Sequence, residues 1–84
     1  MNCKNYITET KIFTQNGSTD SNCNSILFVN TGSVNVTIEN LVLQPSQSWS
    51  IEGNRDEMCV KVFYFNFDTG ANPGLTAIFK RYVS

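Results

Sequence analysis

The segment at residues 25–52 alternates between apolar and polar side chains over part of its length and is broken by short turns, and this pattern restricts the fold more than any other feature. Apolar residues fall at every second position at Val34, Val36 and Ile38, whereas residues 26–29 are all apolar. A period of two residues is typical of a β-strand with one buried face. The spacing of an amphipathic helix does not recur over ten or more positions, so the whole chain is predicted to be all β.

Seven strands are predicted from this pattern and from the β-branched and aromatic content. They cover residues 6–13, 26–30, 34–38, 41–43, 48–52, 58–67 and 75–83. The polar segment between the first two is predicted to be the longest loop. Turn residues recur at a spacing of roughly 8–12 residues, which is typical of a sandwich or barrel. We therefore expect one domain over residues 1–84, a small antiparallel β-sandwich that is jelly-roll-like or immunoglobulin-like.

Three tight turns are predicted inside the alternating segment. Gly32 is expected to supply a left-handed backbone conformation in the first turn, because it has no Cβ. The second turn contains Glu39 and Asn40, and asparagine tolerates a positive φ. Pro45 ends a strand because it lacks the N–H that a ladder needs, and it is expected to begin the third turn, at residues 44–47.

The charge content argues against a nucleic-acid ligand. The 84-residue chain has 6 Lys and Arg against 7 Asp and Glu, and charged residues make up 15% of it, compared with about 25% in a typical domain. A nucleic-acid-binding protein needs clustered cations to neutralise phosphates. A surface rich in amides and hydroxyls suits packing against other proteins. So small a β-domain often depends on partner subunits for stability.

No catalytic, metal or cofactor site is predicted. The chain has no histidine, so Cys59 has no imidazole to activate it as a nucleophile. The carboxylates occur singly at turns and outward positions, and the glycines form no phosphate-binding cluster. Cys3, Cys23 and Cys59 are too few for a four-ligand zinc site and form no CxxC pair. Free thiols are expected, and a Cys3–Cys23 disulfide is the alternative left open.

No membrane association is predicted either. No run approaches the roughly 18–20 apolar residues that span a bilayer, and the first ten residues lack the apolar core of a secretory signal. The chain is expected to stay in the cytosol or to enter a particle that is assembled there.

The predicted strand at residues 58–67 is apolar on both faces. Val60, Val62 and Tyr64 share one face. The other face is shared by Lys61, Phe63, Phe65 and Phe67. The second apolar face is covered by the chain itself or by a neighbouring subunit, and we favour the subunit because aromatic residues are enriched at interface centres. The candidate interface residues are Phe63, Phe65, Phe67, Phe79 and Tyr82.

Trp49 alternates in phase with Ile51 and is expected in the core or in an interface. Stacking of Trp49 on a sugar ring is the alternative, with the polar loops at residues 15–25 and 53–56 as further contacts.

One stretch of the chain resembles small virion proteins of tailed bacteriophages, including crAss-like phages. In that pattern a strand ends in Asn-x-Gly and leads to a hairpin, an L-x-P-x-x-S turn and a strand with an aromatic residue. The matching residues here are Asn30, Thr31 and Gly32, then Leu43, Pro45 and Ser48, then Trp49. The match covers about a third of the chain. The family usually has Pro-Gly at the turn, whereas Ser46 follows Pro45 here.

The resemblance implies a non-enzymatic structural role in a virion, in capsid decoration, a head fibre or a tail component. The implied partners are further copies of the chain, as in a trimer, and other virion proteins. The implied location is the virion, after assembly in the host cytoplasm. A carbohydrate- or receptor-binding β-sandwich module is the alternative.

Overall fold

Eight β-strands and no helix are present in the computed structural model, which describes residues 5–54 and 56–83. The strands are β1 (Asn5–Phe13), β2 (Gly17–Asp20), β3 (Ser25–Asn30), β4 (Val36–Ile38), β5 (Leu41–Leu43), β6 (Ser48–Ile51), β7 (Val62–Phe67) and β8 (Leu75–Val83). The all-β prediction is confirmed.

The strands form two four-stranded antiparallel sheets. Sheet I has the order β1-β8-β3-β6, and sheet II has the order β2-β7-β4-β5. Four of the strand pairs are those of one long hairpin, which is rolled so that successive pairs fall in opposite sheets. These pairs are β1–β8, β2–β7, β3–β6 and β4–β5. The pairs β3–β8 and β4–β7 complete the sheets. This order is that of a jelly roll, which decides between the two predicted forms of sandwich.

The core lies between the sheets and is built mainly from phenylalanines. Phe28, Phe63, Phe65 and Phe79 are each exposed by 2% or less. The ring centroids of Phe28 and Phe63, which come from opposite sheets, are 5.3 Å apart in an edge-on arrangement. Burying a phenylalanine side chain contributes up to about 3 kcal/mol, so these four rings are a large part of the stabilisation of so small a domain.

Three predicted segments differ from the structure. The strand predicted at residues 34–38 begins only at Val36, and Val34 lies in the turn before it. β2 lies in the segment predicted to be a loop, because Gly17–Asp20 is polar and places only the Thr19 side chain in the interior. The predicted strand at residues 58–67 begins only at Val62. Upstream of Val62, Cys59 forms an isolated antiparallel bridge with Cys23 instead of joining the ladder.

Asn30 joins the turns of the alternating segment from a fully buried position. Its Nδ2 donates hydrogen bonds to the carbonyl oxygens of Val34 (2.8 Å) and Leu43 (2.9 Å). Its Oδ1 accepts a hydrogen bond from the Gly32 N–H at 3.0 Å, and its carbonyl accepts one from the Ser46 N–H at 2.9 Å. Burying an amide is costly without such bonds. Through these hydrogen bonds Asn30 links two turns to the end of β5.

Position 32 needs a glycine because there is no room for a Cβ, and not because the backbone has a positive φ, which was the prediction. Its φ lies outside the left-handed region, and a Cβ built on it would be 2.2 Å from the Gly74 nitrogen and 2.5 Å from the Asn72 carbonyl oxygen. Two backbone segments therefore cross at this residue with no room for a side chain.

The other two turns place a positive φ on non-glycine residues. Residues 44–47 form a turn closed by the Gln47 N–H on the Gln44 carbonyl at 2.9 Å. Ser46 has a φ of 74°, as the third residue of a type II turn requires. In the turn between β4 and β5 the positive φ of 57° falls on Glu39, not on Asn40.

Candidate interaction surfaces

The structure corrects the predicted interface for three of its five residues. Phe63, Phe65 and Phe79 point inward, and their exposures are 2%, 1% and 0%. A side chain already enclosed between two sheets has no surface left for a neighbouring subunit. The phenylalanine face of the apolar strand is therefore the one that the chain itself covers.

The remaining two residues lie nearer the surface. Phe67 is half-buried at the end of β7 and packs edge-on against Phe65 with a centroid distance of 6.0 Å. Tyr82 is half-buried and lies opposite Tyr6 on the outer face of sheet I. Of the five predicted residues, Tyr82 is the one on an outer sheet face.

The opposite face of the same apolar segment is the exposed one. Val60, Val62 and Tyr64 are exposed by 74%, 39% and 62%, and we refer to these three residues as the Tyr64 patch. Val62 and Tyr64 lie on the outer face of sheet II, opposite Asp20 and Ser18 of β2. The sequence placed these three residues on one face, but it gave no means of deciding which face of the strand the core would take.

Glu39 holds the backbone of Tyr64 in position. The Tyr64 N–H donates to Glu39 Oε2 at 3.0 Å, and the Glu39 N–H donates to the Tyr64 carbonyl at 3.0 Å. Lys61 Nζ lies 3.1 Å from Glu39 Oε1. The Tyr64 N–H, followed by Lys61, lowers the pKa of the Glu39 carboxyl. These bonds offset the cost of the positive φ at Glu39 and order the base of the patch.

A second cluster of exposed aromatic residues lies on the outer face of sheet I. The Tyr6 and Tyr82 rings meet edge-on at 6.2 Å. Lys80 Nζ lies 4.6 Å from the Tyr6 centroid and 4.8 Å from the Tyr82 centroid, which is the geometry of a cation–π contact. Hydrogen bonding to the Tyr82 side chain raises the pKa of Lys80 above its ordinary value.

Trp49 belongs partly to the core and partly to a groove. Its ring stacks on Phe28 with a centroid distance of 5.8 Å and meets Phe63 edge-on at 6.2 Å. Its remaining surface lines an open groove of about 500 Å³ between the edge strands β5 and β6. The other residues of the groove are Leu41, Val42, Leu43, Ser46, Gln47 and Ser48.

The two described cysteines are free thiols. Cys23 and Cys59 exchange two backbone hydrogen bonds, at 3.2 and 2.7 Å. Burial, and then the proximity of Cys59, raises the pKa of the Cys23 thiol. Cys3, the other half of the disulfide left open above, lies outside the described residues.

Among residues 5–54 and 56–83, no group of three or more His, Cys, Asp or Glu side chains is arranged to hold a metal ion. Nor does this part of the chain contain a helix long and apolar enough to cross a membrane.

Comparison with known proteins gives no relative: no protein-family model, curated protein or solved structure matches the chain. The resemblance to phage virion proteins therefore stays a prediction, and the function has to be argued from the surfaces described above.

Proposed function

We propose that this protein is a non-enzymatic structural component of a virion that acts by binding other protein subunits. The observation that carries the proposal is the Tyr64 patch, an exposed aromatic and aliphatic surface on an outer sheet face. Exposed apolar patches of this kind mark interaction sites, and tyrosine is enriched at interface centres. Tyr64 is 62% exposed, and Glu39 fixes the backbone from which its ring projects.

The fold supports the virion part of the proposal. Jelly rolls occur in viral capsid proteins, and they also occur in lectins and cupins. The Asn-x-Gly and L-x-P-x-x-S elements, on which the resemblance rests, form the turns that Asn30 links. The proposed roles are capsid decoration, a head fibre or a tail component, with copies of the chain and other virion proteins as partners and assembly in the host cytoplasm.

The test of the patch is incorporation into particles. The variant Tyr64→Ser removes the aromatic surface, and Tyr6→Ser is its matched control because Tyr6 is similarly exposed, at 55%, on the opposite sheet. We expect tagged Tyr64→Ser protein to be depleted about fivefold or more from gradient-purified particles, since interface tyrosines often contribute more than 1 kcal/mol. Tyr6→Ser protein should be incorporated like the wild type. If only Tyr6→Ser protein is depleted, the contact surface lies on sheet I and not on sheet II. If both variants are incorporated like the wild type, the proposal is contradicted.

A second candidate function is carbohydrate binding, which is favoured by the groove beside Trp49. An indole bordered by the hydroxyls of Ser46 and Ser48 and the amide of Gln47 has the groups that bind a sugar ring. A saturable change of tryptophan fluorescence in a titration with a panel of mono- and oligosaccharides would support this function. Unchanged fluorescence at millimolar sugar would eliminate it, and Trp49 would then be a core residue alone.

A further inference from the structure

β1 is an unusually long and open sheet edge for so small a domain. It has 9 residues, and within residues 5–54 and 56–83 it pairs only with β8, so no described strand lies on the other side of its backbone. The other three edge strands, β2, β5 and β6, have 4, 3 and 4 residues. Natural edges are usually blocked by proline, by a bulge, by being short or by charged side chains. Of these devices β1 has only charges, Glu9 and Lys11, and these oppose a partner strand unless that strand places opposite charges against them. β1 contains no proline, and its register with β8 is continuous over all nine pairs.

The side chains of β1 alternate between the two faces of sheet I. Ile7, Glu9, Lys11 and Phe13 lie on the inner face, since Glu9 and Phe13 are opposite the core residues Phe79 and Leu75 of β8. Tyr6, Thr8, Thr10 and Ile12 lie on the outer face.

The inner-face sequence is complementary to itself when read backwards. If two copies of β1 lie antiparallel about a two-fold axis at Thr10, then Glu9 is opposite Lys11 of the second copy. In the same register Ile7 is opposite Phe13 of the second copy. The dimer thus contains two Glu9–Lys11 pairs of opposite charge and two apolar Ile7–Phe13 pairs. Cross-strand pairs of opposite charge are stabilising, and like charges directly opposite are destabilising.

Neighbouring registers lack this complementarity. An axis at Glu9 sets two glutamates against each other, and an axis at Lys11 sets two lysines against each other. An axis between two residues places an inner-face residue of one copy opposite an outer-face residue of the other, which would turn the two cores to opposite sides of the sheet. Thr10 is the position that matches both charge and face.

The two charged side chains of β1 have partners within the chain. Arg81 Nη1 binds Glu9 Oε1 at 3.0 Å, and this bond leaves Oε2 for another cation. Lys11 Nζ lies over the Phe79 ring, 5.3 Å from its centroid. Both contacts are made to β8, so each charged head would turn from β8 toward the open edge to meet its counterpart in a second copy. The apolar ends are available too, because Ile7 is 53% exposed and Phe13 is only partly buried.

We propose that β1 pairs with β1 of a second copy of this chain, antiparallel and centred on Thr10, to give one eight-stranded sheet across the dimer. Main-chain hydrogen bonds would supply the attraction, and the Glu9–Lys11 pairs would set the register. A contact made through one strand of each copy is expected to be smaller than the standard interface of about 1,600 Å², so we expect a weak dimer whose formation depends on protein concentration. The site is separate from the Tyr64 patch, which lies on sheet II.

The first test exchanges charges between two variants and measures mass by sedimentation equilibrium. Glu9→Lys and Lys11→Glu each create two like-charge contacts in a homodimer, and each should weaken dimerisation about tenfold or more. An equimolar mixture of the two restores both opposite-charge contacts, so it should form a heterodimer with near wild-type affinity. Circular dichroism establishes that each variant is folded. Wild-type protein that stays monomeric near 1 mM, or folded variants that dimerise unchanged, would overturn the proposal.

The second test fixes the register without altering any charge. In the proposed dimer Thr10 faces Thr10 of the second copy, so Thr10→Cys should form an intermolecular disulfide under a mild thiol oxidant. Thr8→Cys is the matched control, because two residues at position 8 would be about 13 Å apart along the strands, beyond the reach of a disulfide. Peptide mapping separates the new bond from bonds of the native cysteines. Cross-linking at position 8 and not at position 10 would refute the register. Dimerisation in solution and incorporation of Tyr64→Ser protein into particles are measured in separate experiments. The dimer proposal can therefore fail while the proposed virion role holds, and the virion role can fail while the dimer is observed.

Discussion

The variant Gly32→Ala tests the packing of the turns, because the space at Gly32 is closed by backbone on the other side. The new Cβ would lie 2.2 Å from the Gly74 nitrogen and 2.5 Å from the Asn72 carbonyl oxygen. Neither atom can rotate away as a flexible side chain would, so the two segments must separate.

Their separation breaks three backbone hydrogen bonds. The N–H groups of Thr31 and Gly32 donate to the Gly74 carbonyl at 3.1 and 3.2 Å, and the Ser33 N–H donates to the Asn72 carbonyl at 2.9 Å. At about 1 kcal/mol for each bond, the free energy of unfolding should fall by about 3 kcal/mol. That is a large fraction of the roughly 4–13 kcal/mol expected for a chain of this length. The melting temperature should fall by roughly 12–24 °C.

Gly17→Ala is the matched control. The nearest atom to a Cβ at Gly17 is Phe65 Cζ at 3.9 Å, which is an ordinary contact. This variant should be neutral or slightly stabilising, because alanine lowers the entropy of the unfolded chain. Urea unfolding followed by circular dichroism measures both variants. Equal free energies of unfolding for Gly32→Ala and the wild type would refute the close backbone approach described here.

Three further predictions concern the other turns and the thiols. Ser46→Gly should raise the free energy of unfolding by about 0.5–1 kcal/mol in urea unfolding, because glycine adopts the positive φ without strain, and a loss of stability would count against that turn. The lowered pKa of Glu39 means that its charge stabilises the fold above the unfolded pKa and that this contribution is lost as pH falls through the folded value. The difference in melting temperature between wild type and Glu39→Gln should therefore shrink from pH 5 to pH 3, and a constant difference would contradict the ion pair. In timed iodoacetamide labelling with peptide mapping, Cys59 should react before Cys23, whose pKa is raised by burial, and the opposite order would be inconsistent with the packing.

The sequence allowed the fold class to be predicted because alternation is a local property. Trp49 and Ile51 share a face in the sequence, and in the structure they lie opposite Phe28 and Ile26 on the inner face of sheet I. The β2 strand was missed because Gly17–Asp20 has almost no apolar signal, and its pairing with β7 is a property of the whole roll.

The candidate surface was placed on the wrong face for a related reason. In the segment around Tyr64 both faces are apolar, so alternation defines two sets of residues but does not say which set is buried. The answer depends on the opposing sheet, where Phe28 meets Phe63. The need for glycine at position 32 is likewise non-local, because it arises from Gly74, 42 positions further along the chain.

The central claim is that the protein is a structural part of a virion, and quantifying it in the particle tests that claim most directly. Particles from a culture that produces the protein would be purified on a density gradient, and the chain would be measured against the major capsid protein by mass spectrometry with labelled peptide standards. The account predicts a constant, non-zero ratio of the two proteins across every particle fraction. Recovery of the chain only in the soluble fractions, with none in the particles, would contradict it.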